Sequence, residues 1–195
     1  MAEVHVNKIP QVHVNKEYSI LQIAFNLAGA CIISGVIIAV TYFITAPIAV
    51  QKNEMLKQQA MKDLVKDADN FKPVPNKVGW FAAETAGKVI AYVVPTETNG
   101  YGGAIKMLVS VSKDGKVIDY NILSANETPG LGDNASKSFF RNRFAGKKSG
   151  DLIVVKDPSN KVNIQAMTGA TISSTAVTKG VKEVVDEVVA FSGGK

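Results

Sequence analysis

Lys106-Met-Leu-Val-Ser-Val-Ser-Lys-Asp-Gly-Lys-Val-Ile-Asp-Tyr-Asn-Ile122 is the stretch that decides the fold. Met107, Val109 and Val111 alternate with Lys106, Ser110 and Ser112, and Ile118, Tyr120 and Ile122 alternate again after Asp114-Gly115. Such period-two patterning predicts two strands with one apolar face each, and the Asp-Gly pair between them predicts a hairpin turn. Working outward, Lys88–Val94 is a continuous Val- and Ile-rich run suited to a buried strand, and Gly100-Tyr-Gly-Gly103 supplies a flexible turn after it. On the other side, Phe139, Phe140 and Phe144 predict a short helix and Leu152–Val155 a further strand. Val177, Val181, Val184, Val185 and Val188 recur at helical spacing, which predicts a terminal helix over Thr171–Phe191. The fold class is α+β: a largely antiparallel sheet with flanking helices.

The first third of the chain reads differently. Residues 1–17 are a polar tail holding a direct repeat, Val4-His-Val-Asn-Lys8 and Val12-His-Val-Asn-Lys16, with both histidines of the protein in it. Their spacing matches no structural metal site, so the tail reads as an arm or a docking strand for a partner. From Tyr18 to Gln51 there is no charged residue. As a helix, Leu21–Ala46 would reach about 39 Å at about 1.5 Å per residue, enough to cross a bilayer. The run exceeds the apolar core of a secretory signal and begins well into the chain, so a retained anchor is expected over 18–48. Gly29, Ala30, Ser34 and Gly35 offer close packing to another transmembrane helix, and Asn26 is a polar group needing a partner there. Lys8 and Lys16 before the span nearly balance Lys52 and Lys57 after it, so charge leaves the orientation open. Pro47 should close or kink the span. Leu56, Ala60, Leu64, Val65 and Ala68 then predict an amphipathic stalk helix over 49–72, broken by Phe71-Lys-Pro-Val-Pro75, with one domain over 73–195.

Composition narrows the function. The net charge of +5 comes from scattered lysines plus one denser patch, Arg141, Arg143, Lys147 and Lys148, without interleaved aromatics or a recognition motif, which argues against nucleic-acid binding. Cys31 is the sole cysteine and lies in the apolar run, so the chain's own thiols cannot build a disulfide framework, a zinc cluster or an iron–sulfur site. With both histidines in the tail, the usual equipment for hydrolysis is missing from the domain.

Three short stretches remain to carry chemistry. Gln165-Ala-Met-Thr-Gly-Ala-Thr171-Ile-Ser-Ser174 crowds small and hydroxylated residues at a helix start, where unpaired amide N–H groups favour an anion. Gly169 and Ala170 leave room for close approach, and the hydroxyls of Thr168, Thr171, Ser173 and Ser174 could hydrogen-bond a phosphate or be esterified by one. Taken alone, this is also what a threonine-capped helix looks like. Gly100-Tyr-Gly-Gly103 and Glu127-Thr-Pro-Gly-Leu-Gly-Asp133 are each an ordinary turn by themselves. Spaced across one small domain, the three become informative together.

Together they resemble the FMN-binding domain of the G subunit of the Rnf electron-transport complex, and the related C subunit of the sodium-pumping NADH:quinone oxidoreductase. The resemblance covers the charge-free span and all three motifs, of which Glu127–Gly132 with Thr168-Gly-Ala-Thr171 is the specific pair. It implies FMN joined through its phosphate to Thr171 by a dedicated flavin transferase, with Thr168, Gly169, Ala170, Ile172 and Ser173 around the attachment point. It further implies that Glu127, Thr128, Pro129, Gly130, Leu131 and Gly132 lie against the flavin, with Tyr101 and Gly102 nearby. Such motifs often carry an aspartate six residues before the acceptor, and here that position is Gln165, which can hydrogen-bond but brings no charge. The implied role is an electron carrier with no independent catalysis, in a membrane complex coupling electron transfer between ferredoxin and NAD to ion translocation. The implied partners are the other membrane subunits, and the implied place is the inner (cytoplasmic) membrane with the FMN domain on the extracytoplasmic side. A stand-alone membrane-tethered flavoprotein serving an extracytoplasmic reductase, or a non-redox anchored scaffold, are the competing readings.

Overall fold

The alternating stretch forms the middle of a five-stranded antiparallel meander in a computed structural model that describes residues 19–193; the histidine repeat lies outside the described residues. The strands are β1 (Asn70–Pro73), β2 (Phe81–Thr85), β3 (Lys88–Asn99), β4 (Ala104–Ser112) and β5 (Val117–Ser124), hydrogen-bonded in sequence order. Helix α1 (Ile20–Leu64) precedes them. A short helix α2 (Ser138–Arg141), a two-stranded parallel pair β6 (Val154–Val155) and β7 (Ile164–Gln165), and a long helix α3 (Thr171–Ser192) follow. The chain divides into two units, residues 1–51 and 52–195.

The sheet is buried on both faces, which single-faced alternation does not predict. Met107, Val109 and Val111 pack with Val177, Val181, Val184, Val185 and Val188 of α3, while Leu108 packs on the opposite side with Ala83, Ala91 and Val93. The helical end of the second unit closes that opposite side with Ala60, Met61 and Leu64, and Val65 follows. Ser110, read as a solvent-facing residue, is therefore fully buried, and its hydroxyl accepts from Asp119 N–H (3.1 Å) and donates to Asp119 C=O (2.9 Å). That exchange accompanies a bulge: Ser110 pairs with Asp119 but Val111 with Val117, leaving Ile118 extra. Ile118 accordingly joins the opposite cluster, whereas Val117 and Tyr120 face α3, so the expected common face of Ile118 and Tyr120 does not form.

Two other expectations are corrected. Of the two outcomes expected at Pro47, closing the span is not met: Pro47 lies inside a continuous helix, where it removes one backbone donor while the hydrogen bonds on either side carry the helix past it. The expected 49–72 stalk is not a separate element either. The helix stops at Leu64, its last turns belong to the domain core, and the stretch read as a helix breaker, Phe71–Pro75, begins inside the strand Asn70–Pro73 that pairs with β2. The terminal helix begins at Thr171 as its spacing predicts, and ends at Ser192 with Gly193 in the left-handed region (φ +84°).

Candidate functional site

The sheet register gathers the three motifs. Gly100–Gly103 closes the β3–β4 hairpin, with Gly100 N–H donating to Gly103 C=O at 2.8 Å. Because Lys106 pairs with Ser124, the loop leaving β5 starts beside that turn. Helix α3 lies across β3 and β4 and brings its first turn to the same end, where Ser173 donates to the carboxylate of Glu127. Glu127 accepts a second hydrogen bond from Gly102 N–H at 3.0 Å, so one side chain ties the turn, the loop and the helix start together.

Around this junction lies a cleft of about 560 Å³, lined by Tyr101, Glu127, Thr128, Leu131, Gly132 and the run Gly169 to Ser173. Leu131 and Ile172 present exposed apolar side chains to it, and Tyr101 an exposed aromatic one. Its size is in the usual range for a cofactor pocket, and its mixture of apolar wall and few polar groups is also typical of one. Thr168, Pro129, Gly130 and Gly102 are not in its wall. Gly130 answers instead to its backbone, at φ +76°, and its carbonyl accepts from Asn134 Nδ2 at 2.8 Å. Gly102 is a glycine because a Cβ there would run into the Asn126 carbonyl, and Gly132 because a Cβ would come within 2.6 Å of Ser173 Oγ.

The helix start is not the threonine cap that the motif taken alone could also be. Thr168 is exposed, Ala170 occupies the cap position, and no side chain caps it. Ser174 does the local work: its hydroxyl accepts from Met167 N–H (2.9 Å) and donates to Ala170 C=O (2.8 Å). Gly169 at φ +75° makes the turn between them. Ser173 and Ser174 are thus buried and committed to protein partners, whereas Thr171 is exposed and its hydroxyl has no hydrogen-bond partner among the described residues. The first main-chain bond of the helix runs from Ser174 N–H to Ala170 C=O at 3.0 Å, which leaves the amides of Thr171, Ile172 and Ser173 without a carbonyl behind them.

A second cleft, of about 420 Å³, lies on the other side of Thr171 and is lined by Leu152, Val154, Lys156, Thr175, Thr178, Lys179 and Lys182. Thr171 lines both clefts. Thr175 lines only the lysine-bearing one, and its hydroxyl donates to Thr171 C=O at 2.8 Å. These lysines were invisible as a site in the sequence because Lys156 and Lys179 are far apart along the chain and meet only through the β6–α3 packing. Below the site, Tyr120 is buried against Phe144, its hydroxyl donating to Ala135 C=O at 2.5 Å, and burial pushes its phenol well above the ordinary range.

Residues 100–186 match the FMN-binding domain family. Over 177 residues the chain is 59% identical to a protein of Clostridium ljungdahlii named as the G subunit of a proton-translocating ferredoxin:NAD(+) oxidoreductase complex, covering 91% of this chain and 96% of that one. The chain belongs to this G-subunit family. A second member, from Acetobacterium woodii, is named as the G subunit of a Na(+)-translocating ferredoxin:NAD(+) oxidoreductase complex; it is 34% identical over 74% of this chain and 79% of its own. The crystal structure of Shewanella oneidensis NqrC shares the fold, with a TM-score of 0.50 and 18% identity over 67% of this chain and 74% of that one. All three family motifs lie within the matched segment, and the long apolar helix of this G-subunit chain anchors it to the membrane.

Proposed function

We propose that this chain is the flavin-bearing electron carrier of an ion-translocating ferredoxin:NAD(+) oxidoreductase complex, with FMN joined through its phosphate to Thr171. Thr171 carries the reading. It stands at the start of a 22-residue helix, exposed, between an apolar-walled cleft and a lysine-bearing one, with a hydroxyl that no protein group among the described residues uses. The residues present fit FMN: Tyr101, Leu131 and Ile172 offer surface to a flat ring, and the amides of Thr171 to Ser173 favour an anion. Lys156, Lys179 and Lys182 add positive charge on the far side. Bound there, FMN supplies reversible storage of electrons. The protein's part is to hold it at a fixed place and to shield one side of it from water; a covalent tether prevents its loss where free FMN is scarce.

Maturation by a flavin transferase and docking against other membrane subunits belong to the same proposal, as does an extracytoplasmic position of the domain. The experiment is co-expression of the full chain with the transferase, followed by a denaturing gel and peptide mass spectrometry. Thr171→Ala is expected to fold, since losing a hydroxyl at a helix start costs at most about 0.5–2 kcal/mol, and to lose covalent flavin entirely. Thr175→Ala should keep it, because that hydroxyl is already bonded to Thr171 C=O. An adduct mapped to Thr168, Thr175 or a nearby serine would overturn the assignment.

A further inference from the structure

Glu127 is buried, with 8% of its surface exposed, and among the described residues no lysine or arginine pairs with it. Both of its oxygens are engaged, Oε1 accepting from Gly102 N–H at 3.0 Å and Oε2 accepting from the Ser173 hydroxyl. The backbone makes room for it on two sides: a Cβ at Gly132 would come within 2.9 Å of Glu127 Cβ, and one at Gly100 within 2.9 Å of Glu127 Cδ. Burying a charge without a counter-charge is costly. A glutamine would make the same two links more cheaply, its carbonyl accepting from Gly102 and its amide donating to a Ser173 hydroxyl turned to accept. The negative charge therefore asks for a reason beyond the clamp.

That charge sits in the wall of the cleft between Thr128, Gly132 and Ser173, away from bulk water, where charge–charge energies are several times larger than in solvent. We propose that Glu127 holds the reduction potential of the site low, its fixed negative charge disfavouring the electron-loaded form of the group bound beside it; this rests on the FMN reading above. Electrons arrive from a donor protein and leave to an acceptor protein. Glu127 alters the energy of holding them and itself gains or loses nothing.

The test is the midpoint potential of the full chain, purified in detergent with its covalent flavin, by spectroscopic redox titration. Glu127→Gln is expected to keep the flavin on a denaturing gel and to shift the potential in the positive direction. An unshifted potential in flavin-loaded Glu127→Gln overturns the proposal, and so does a folded Glu127→Gln that carries no flavin, since the residue is then needed for loading. Should Glu127→Gln fail to fold, Glu127→Met removes the same charge and decides in its place: a positive shift supports the role of the charge, and an unshifted value in the flavin-loaded protein overturns it. Failure of the FMN reading itself would be read on a different sample, as absence of flavin from the wild-type chain.

Discussion

At position 102 a side chain has nowhere to go, because even a methyl group would overlap the Asn126 carbonyl and pull the β3–β4 turn off Glu127. Gly102→Ala is expected to destabilise the domain by about 1–3 kcal/mol, the usual range for forcing extra volume into a packed place. Gly130 has open space around it and only its φ of +76° to satisfy, so Gly130→Ala should cost less, about 1–2 kcal/mol. Denaturant unfolding of the two variants checks the order; equal losses would mean that the Asn126 contact relaxes without cost. The motif Glu127–Gly132 was legible as a loop leaving a strand, but not which of its glycines meets what. A Gly can answer to backbone angle or to a neighbour's atoms, and the sequence writes both with the same residue. The same holds for hydroxyls at the helix start. Thr168, Ser173, Ser174 and Thr171 look equivalent in order along the chain, and only the fold commits Ser173 to Glu127 and Ser174 to Met167 while leaving Thr171 exposed.

Among the elements, α3 was the most legible, since Val177, Val181, Val184, Val185 and Val188 make a stripe with the helical period and all are buried. What the stripe could not reveal is how closely the helix approaches the sheet: Gly180 sits where a Cβ would lie 2.5 Å from Met107 Cε, and Gly115 where one would lie 2.6 Å from Val189 Cγ2. The β4–β5 hairpin was legible as a turn, and its chemistry adds a pH dependence. Lys116 Nζ at 2.8 Å and the Ser112 hydroxyl at 2.5 Å hold the Asp114 carboxyl down to about 2 from an ordinary 3.8. A carboxyl lowered in the folded state binds fewer protons there than in the unfolded chain, so its contribution is present above about 4 and is lost as the pH falls toward about 2. Asp114→Asn should therefore be less stable than the wild type at neutral pH, and the gap should close between about pH 4 and about pH 2 in thermal melts. A gap unchanged across that window would assign the loss to backbone conformation at the turn. The two-faced burial of β4 escaped the sequence for a physical reason: Ser110 reads as solvent-facing polar, yet a hydroxyl that both donates to and accepts from Asp119 can be buried at little cost.

For the whole molecule, the open question is which side of the membrane holds the domain. A 45-residue helix carries the charge-free run, and its large apolar side chains, among them Phe25, Ile32 and Phe43, are exposed as lipid-facing residues would be. Orientation is usually set by an excess of lysine and arginine on the cytoplasmic flank, but here Lys8 and Lys16 are set against Lys52 and Lys57, too even a balance to decide. The expectation that the domain lies outside the cytoplasm comes from the resemblance alone, and it has a chemical rationale: the proposed threonine ester would keep the flavin attached where none can be taken up again. The chain allows a direct test because Cys31 is its sole cysteine. With Cys31→Ser as background, a cysteine placed at Gly193, in the left-handed position that ends α3 and with open space around it, creates one thiol on the domain. Asn would suit that backbone angle better than Cys, but at a helix end the strain is local and should leave the sheet and the cleft intact. Intact cells treated with a membrane-impermeant maleimide should label this thiol fully. Labelling that appears only after the cells are opened would put the domain on the cytoplasmic side, and the proposed tether would then need a reason other than retention.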